Sequence, residues 1–108
     1  MTTARFAATA FSGEGARLYG GRWNPKGFEL VYTAQSRSLA LLELMVQDPP
    51  LRARYVLMPA SLPDTFSVTH VGVADLAADW RRLDRRDALQ RMGRAWLEQG
   101  DSAVLAHP

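Results

Sequence analysis

Two neighbouring stretches, Phe28-Glu29-Leu30-Val31-Tyr32-Thr33-Ala34 and Leu39-Ala40-Leu41-Leu42-Glu43-Leu44-Met45-Val46-Gln47, govern how the rest of this chain is read. The first is aromatic, β-branched or bulky and follows Gly27, which predicts a strand over residues 28–34. The second is an aliphatic run with Ser36 or Ser38 placed to cap its start and Pro49-Pro50 placed to stop it. That predicts a helix over 39–47, apolar on nearly every side and therefore buried. Downstream, Arg54-Tyr55-Val56-Leu57-Met58 reads as a second strand ended by Pro59, and Phe66-Ser67-Val68 as a short third. A second helix is expected from about Asp84 to Gln99, where Leu89, Met92 and Trp96 recur at helical spacing and Gly100 supplies a stop. Ser102-Ala103-Val104-Leu105-Ala106 reads as a last strand, apolar enough to be an interior one. Upstream, the first 27 residues are punctuated by glycine and read as loop and turn. Short extended pieces are expected near Arg5-Phe6 and Arg17-Leu18-Tyr19, with a tight turn at Asn24-Pro25-Lys26-Gly27.

The chain has 108 residues, 47% hydrophobic and 22% charged, which fits one ordinary domain over 1–108. It has no cysteine, which removes disulfide frameworks, thiolate catalysis and Cys-based zinc sites. With only His70 and His107, both read as incidental, a histidine metal site is not expected. No apolar run approaches the roughly 20 residues that span a bilayer, and Met1-Thr2-Thr3-Ala4-Arg5 does not open a signal peptide. The expectation is a cytoplasmic protein without a membrane segment. The net charge is +2, but Arg81, Arg82, Arg85, Arg86, Arg91 and Arg94 crowd one window with only Asp84 and Asp87. A solvated helix face is the plainer reading of that window. No recognition motif accompanies it, so direct nucleic-acid binding is not expected.

Three polar features ask for an explanation. Glu43 is the only polar side chain between Leu39 and Val46 and borders the stripe of Leu39, Leu42 and Val46. A carboxylate in such a helix is costly unless it pairs with a nearby arginine, faces a solvent gap, or is held in a dry cleft to steady a developing positive charge. Gly20-Gly21-Arg22-Trp23-Asn24 combines a backbone able to turn sharply with a planar guanidinium suited to phosphate or carboxylate. Its Trp23 offers a flat apolar surface and its Asn24 an amide. Tyr32 is either a packed strand residue or a rigid plane for stacking a pyridine or purine ring.

Together these residues resemble the RES domain family, the toxin halves of bacterial toxin–antitoxin pairs. The resemblance rests on Gly-Gly-Arg-Trp-Asn at 20–24, Val-Tyr-Thr-Ala at 31–34 and Ala-Leu-Leu-Glu at 40–43. The flanking Phe11-Ser12-Gly13-Glu14-Gly15-Ala16 and Ala95-Trp96-Leu97 also look like the family. What it implies is a compact mixed α/β domain similar to ADP-ribosyltransferases, with short twisted sheets and two main helices. It also implies an enzyme that degrades NAD+ by cleaving the nicotinamide–ribose bond, with NAD as substrate and no metal. Arg22, Tyr32 and Glu43 would be its catalytic residues, and Arg22, Trp23, Asn24 and Tyr32 its cofactor-binding ones. The acceptor would be water, phosphate or a protein. The partner would be a cognate antitoxin with a helix-turn-helix region, and the oligomeric state is left open. The family's serine follows the proline that ends the late strand, where this sequence stops at Pro108. A shortened domain is therefore expected, with a catalytically inactive antitoxin binder as the alternative. Ser102 begins the strand and takes no such role.

Overall fold

A computed structural model describes residues 1–47 and 53–108. Its regular elements in chain order are strand β1 (Thr2–Thr3), a 3-10 turn (Ala4–Thr9), helix α1 (Glu14–Tyr19), helix α2 (Arg37–Gln47), strand β2 (Tyr55–Val56) and strand β3 (Val68–His70). Two further 3-10 turns (Val73–Asp75 and Leu83–Arg85), helix α3 (Arg86–Gln99) and strand β4 (Val104–Ala106) complete it. The class is mixed α/β, with small sheets and two main helices, α2 and α3.

The strands pair across long sequence distances. β1 lies antiparallel to β2, with Thr2 opposite Val56 and Thr3 opposite Tyr55. β3 runs parallel to β4 in the register Val68–Val104, Thr69–Leu105 and His70–Ala106. The parallel pair needs a long crossover, and α3 supplies it, as parallel pairing generally requires. Ser102 fastens the end of that crossover. Its hydroxyl accepts from Trp96 Nε1 at 2.9 Å, lies 2.5 Å from Thr69 Oγ1 and donates to the Val104 carbonyl at 3.1 Å.

α3 forms because one of its faces is apolar, and it ends where Gly100 adopts φ 66°, its amide donating to the Trp96 carbonyl at 3.1 Å. Leu89 on its inner face joins Trp23 and Trp80 to make the core, with Leu30, Val71, Leu76, Met92 and Leu105 packed around them. α2 begins two residues before the expected Leu39, and of the two candidate caps it uses Ser36. The Ser36 hydroxyl accepts the Leu39 amide at 3.1 Å, the usual N-cap bond. The proline pair read as its stop lies outside the described residues.

Four expectations are corrected. Residues 28–34 form no strand: side-chain bonds fasten this segment instead of a ladder, with Asn24 Nδ2 donating to the Phe28 carbonyl and the Tyr32 hydroxyl tied to the loop before it. The pieces near Arg5 and Arg17 are helical rather than extended, being the first 3-10 turn and α1. β4 is a partly buried member of a two-stranded sheet rather than an interior strand. Helix α2 is not buried: Leu42 is 58% and Val46 82% exposed. No strand or helix among the described residues packs extensively along α2, so its aliphatic composition is left facing outward.

Candidate functional site

The loop Gly20–Asn24 is held from beneath by its own side chains. Asn24 is fully buried, and its Nδ2 donates to the carbonyls of Ala16 at 2.9 Å and of Pro25 and Phe28 at 3.2 Å. Its Oδ1 accepts the Tyr32 hydroxyl at 2.6 Å, and that hydroxyl in turn accepts the Trp23 amide at 3.0 Å. Buried polar groups are tolerated when bonded this fully. Trp23 is 1% exposed, and His107 stacks on it with ring centroids 4.7 Å apart and planes at 28°. Gly21 shows why a glycine precedes the arginine. A Cβ there would stand 2.5 Å from the Tyr32 hydroxyl and 2.7 Å from Asn24 Oδ1.

Helix α3 clamps the loop from the other side. Gln90 Nε2 donates to the Gly21 carbonyl at 2.8 Å, and Arg86 Nε donates to the same oxygen at 3.3 Å. The loop is therefore fixed on one flank by Tyr32 and on the other by α3.

Above this frame stand the exposed groups. Arg22 points outward with no hydrogen bond or ion pair among the described residues. Tyr32 is 43% exposed overall, although its hydroxyl end is enclosed in the knot with Trp23 and Asn24. Desolvation of that end raises the phenol above its usual range, against the Trp23 amide and the positive charges of Arg86 and Arg22, which favour the phenolate. Tyr32 thus keeps its proton at neutral pH, has its oxygen engaged and leaves ring surface open.

Arg22 is the residue before the Trp23 amide that the Tyr32 hydroxyl accepts, which places the arginine's backbone beside that hydroxyl; no bond or ring contact joins the two side chains among the described residues. Glu43 is exposed on α2, and among the described residues it makes neither an ion pair nor a hydrogen bond, to Arg22 or to any other group. Expecting Trp23 and Asn24 to meet a bound cofactor with their side chains conflicts with their burial. Both sit below the surface and shape the loop that presents Arg22. The sequence reading passed over Gln90 and Gly93 and took Arg86 only as part of a solvated face; all three are on α3. The glycine was a usable signal, because an interior helix glycine is unfavourable and often marks a close approach of backbone.

A groove lies elsewhere. It has a volume of about 600 Å³ between residues 75–80 and α3, lined by Leu76, Trp80, Leu89 and Met92 among others. A smaller one of about 180 Å³ is lined by Pro25, Asp87, Gln90, Arg91 and Arg94. Arg22, Tyr32 and Glu43 line neither of these grooves, and all three are exposed. Among the described residues no group of three or more His, Asp or Glu is placed to hold a metal ion, and no helix is long and apolar enough to cross a membrane.

A family model described as the RES domain matches residues 1–108, and the chain belongs to that family. It is 33% identical to "Toxin Res" of Photorhabdus laumondii, over all of this chain and 70% of that protein. It is 52% identical to "Prs ADP-ribosylating toxin" of a Sphingobium species, over 95% of this chain and 66% of the relative. Over 68% of this chain and 41% of the relative, it is 38% identical to "NAD(+) phosphorylase MbcT" of Mycobacterium tuberculosis. The mixed α/β architecture with two main helices is consistent with the ADP-ribosyltransferase-like fold expected of the family.

Proposed function

We propose that this chain is the NAD+-consuming domain of a toxin, held in check by a cognate antitoxin. The observation that carries this reading is that one loop sets Arg22, a guanidinium with no carboxylate partner among the described residues, next to the bond that locks the hydroxyl of Tyr32, whose ring is left partly exposed. The family match and the relatives' names, which cite NAD(+) phosphorolysis and ADP-ribosylation, support it.

The chemistry suits these groups. Breaking the bond between nicotinamide and ribose leaves its electron pair on nicotinamide, which departs as a neutral base. The ribose carbon gains positive character until an acceptor oxygen bonds to it. No strong acid is needed for the leaving group. Arg22 would hold the pyrophosphate by paired, charge-assisted hydrogen bonds. The Tyr32 ring would stack the nicotinamide. Glu43, without a partner among the described residues, would steady the developing charge on the ribose, a contribution on the order of 10²–10³ in rate for one well-placed group. Trp23 and Asn24 would act through Arg22 by fixing the loop beneath it. The antitoxin would carry its own helix-turn-helix DNA-binding region and mask the surface around Arg22.

The test is incubation of the purified chain with NAD+ while free nicotinamide is followed, beside Glu43→Gln. Release by the parent and loss of release by Glu43→Gln are expected, and the sugar product identifies the acceptor as water, phosphate or protein. Equal rates for the two proteins would remove Glu43 from its role. No release by either would remove the activity.

A further inference from the structure

The six arginines of residues 81–94 are not equivalent. Arg82 holds Asp84 at 2.8 Å, Arg85 holds Asp79 at 2.8 Å and Arg94 holds Glu98 at 2.9 Å. Arg81 lies over the Trp80 ring, 5.0 Å from its centre. Arg86 instead reaches across to the loop and donates its Nε to the carbonyl of Gly21, the residue immediately before Arg22. A single Nε bond leaves the terminal amino groups of a guanidinium available as donors, and those of Arg86 make no hydrogen bond among the described residues. Gln90 already satisfies the same carbonyl at the shorter distance of 2.8 Å, so the loop is held without Arg86.

Two guanidiniums therefore flank one loop, Arg22 on the loop itself and Arg86 on α3, each without a carboxylate among the described residues; Arg91 is also unpaired there, but of the arginines in this window only Arg86 bonds the loop. Cations gathered without counter-charge repel one another, and an anion placed between them is attracted to both. We infer that Arg86 is a second phosphate-binding residue of the site, acting with Arg22 on the pyrophosphate of the dinucleotide. The inference rests on the NAD+ reading above and adds a residue to it from the far end of the sequence. It gives α3 a direct part in ligand binding besides its packing role. The pyrophosphate carries charge on both phosphates, which matches a site offering two forks better than a site offering one.

The experiment is calorimetric binding of ADP-ribose and of adenosine to the parent chain, Arg86→Ala, Arg86→Lys and Gln90→Leu, with thermal unfolding of each. ADP-ribose carries the pyrophosphate without the scissile bond, and adenosine carries no phosphate. The expected result is an ADP-ribose affinity about tenfold weaker in Arg86→Ala, with adenosine unchanged and partial recovery in Arg86→Lys, as loss of one charged contact implies. Gln90→Leu should lower the unfolding temperature and weaken both ligands alike. If Arg86→Ala binds ADP-ribose as tightly as the parent, or weakens adenosine equally, the assignment to Arg86 falls while the NAD+ reading stands. A parent chain that neither binds ADP-ribose nor releases nicotinamide from NAD+ overturns that reading and this inference together.

Discussion

Gly93 of α3 lies directly on the main chain of Trp23, so close that a methyl group on its Cα would overlap the Trp23 carbonyl. An interior glycine normally costs a helix about 0.5–1 kcal/mol relative to alanine. Here it buys the seat of the functional loop on the helix. Trp23 can be buried one residue from the exposed Arg22 only because α3 has no side chain at that point.

Gly93→Ala is therefore expected to destabilise the protein by about 1–3 kcal/mol, the range of overpacked interiors, despite alanine's better helix propensity. Gly15→Ala in α1, where nothing lies within 4 Å of the added methyl, is the control and should be neutral or slightly stabilising. Urea titration of both variants decides it. Equal midpoints would mean that the contact of Gly93 with Trp23 does not fasten the loop.

Tyr32→Phe keeps the ring but strands the Trp23 amide and Asn24 Oδ1, and leaving such partners unsatisfied costs about 1–3 kcal/mol. Its effect depends on pH in a definite direction. Burial raises the phenol in the folded state, so folding favours the protonated form. That contribution is complete below the ordinary tyrosine range, near ~10, and is lost as pH rises through the higher folded value. The stability gap between parent and Tyr32→Phe should thus hold steady at neutral pH and narrow in alkali. A gap that widens above that range would contradict the enclosed hydroxyl.

Glu43→Gln should leave stability within about 0.5 kcal/mol of the parent, since the side chain is exposed and makes no bond among the described residues. Its unfolding curve accompanies the activity measurement. A large drop in midpoint would show that Glu43 supports the fold instead of the reaction.

Ser102→Ala removes the common partner of Thr69, Trp96 and the Val104 carbonyl. The expected cost is about 1–3 kcal/mol from the groups left unbonded. Hydrogen exchange should quicken in β3 and β4 before it does in α3. Unchanged protection of Thr69 and Leu105 would show that the knot does not tie these strands.

The two main helices were legible because their signals are local. Ser36 caps α2, Gly100 closes α3, and the spacing of Leu89, Met92 and Trp96 follows one helical face. The arginine loop was legible for the same reason. What failed depends on partners that local sequence does not name. Residues 28–34 have a strand's composition, but strands require a neighbour, and here Asn24 and Tyr32 bind the segment through side chains. The aliphatic run of α2 implied burial, whereas the described fold leaves its Leu42 and Val46 outside. Trp23 looked like a ligand surface beside Arg22, and only its contact with the distant Gly93 marks it as core. Arg86 and Gln90 were hidden within a charged helix that reads as a solvated face.

The bonded hydroxyl of Tyr32 has one more effect. A phenol ring hinged at its Cβ and pinned at its oxygen has lost most of its torsional freedom before any guest arrives. A planar molecule settling on it need not freeze that motion, so less of the contact energy is consumed in ordering the host. The surface is rigid in advance, and recognition there should resemble a hand laid on a fixed plate more than a glove closing.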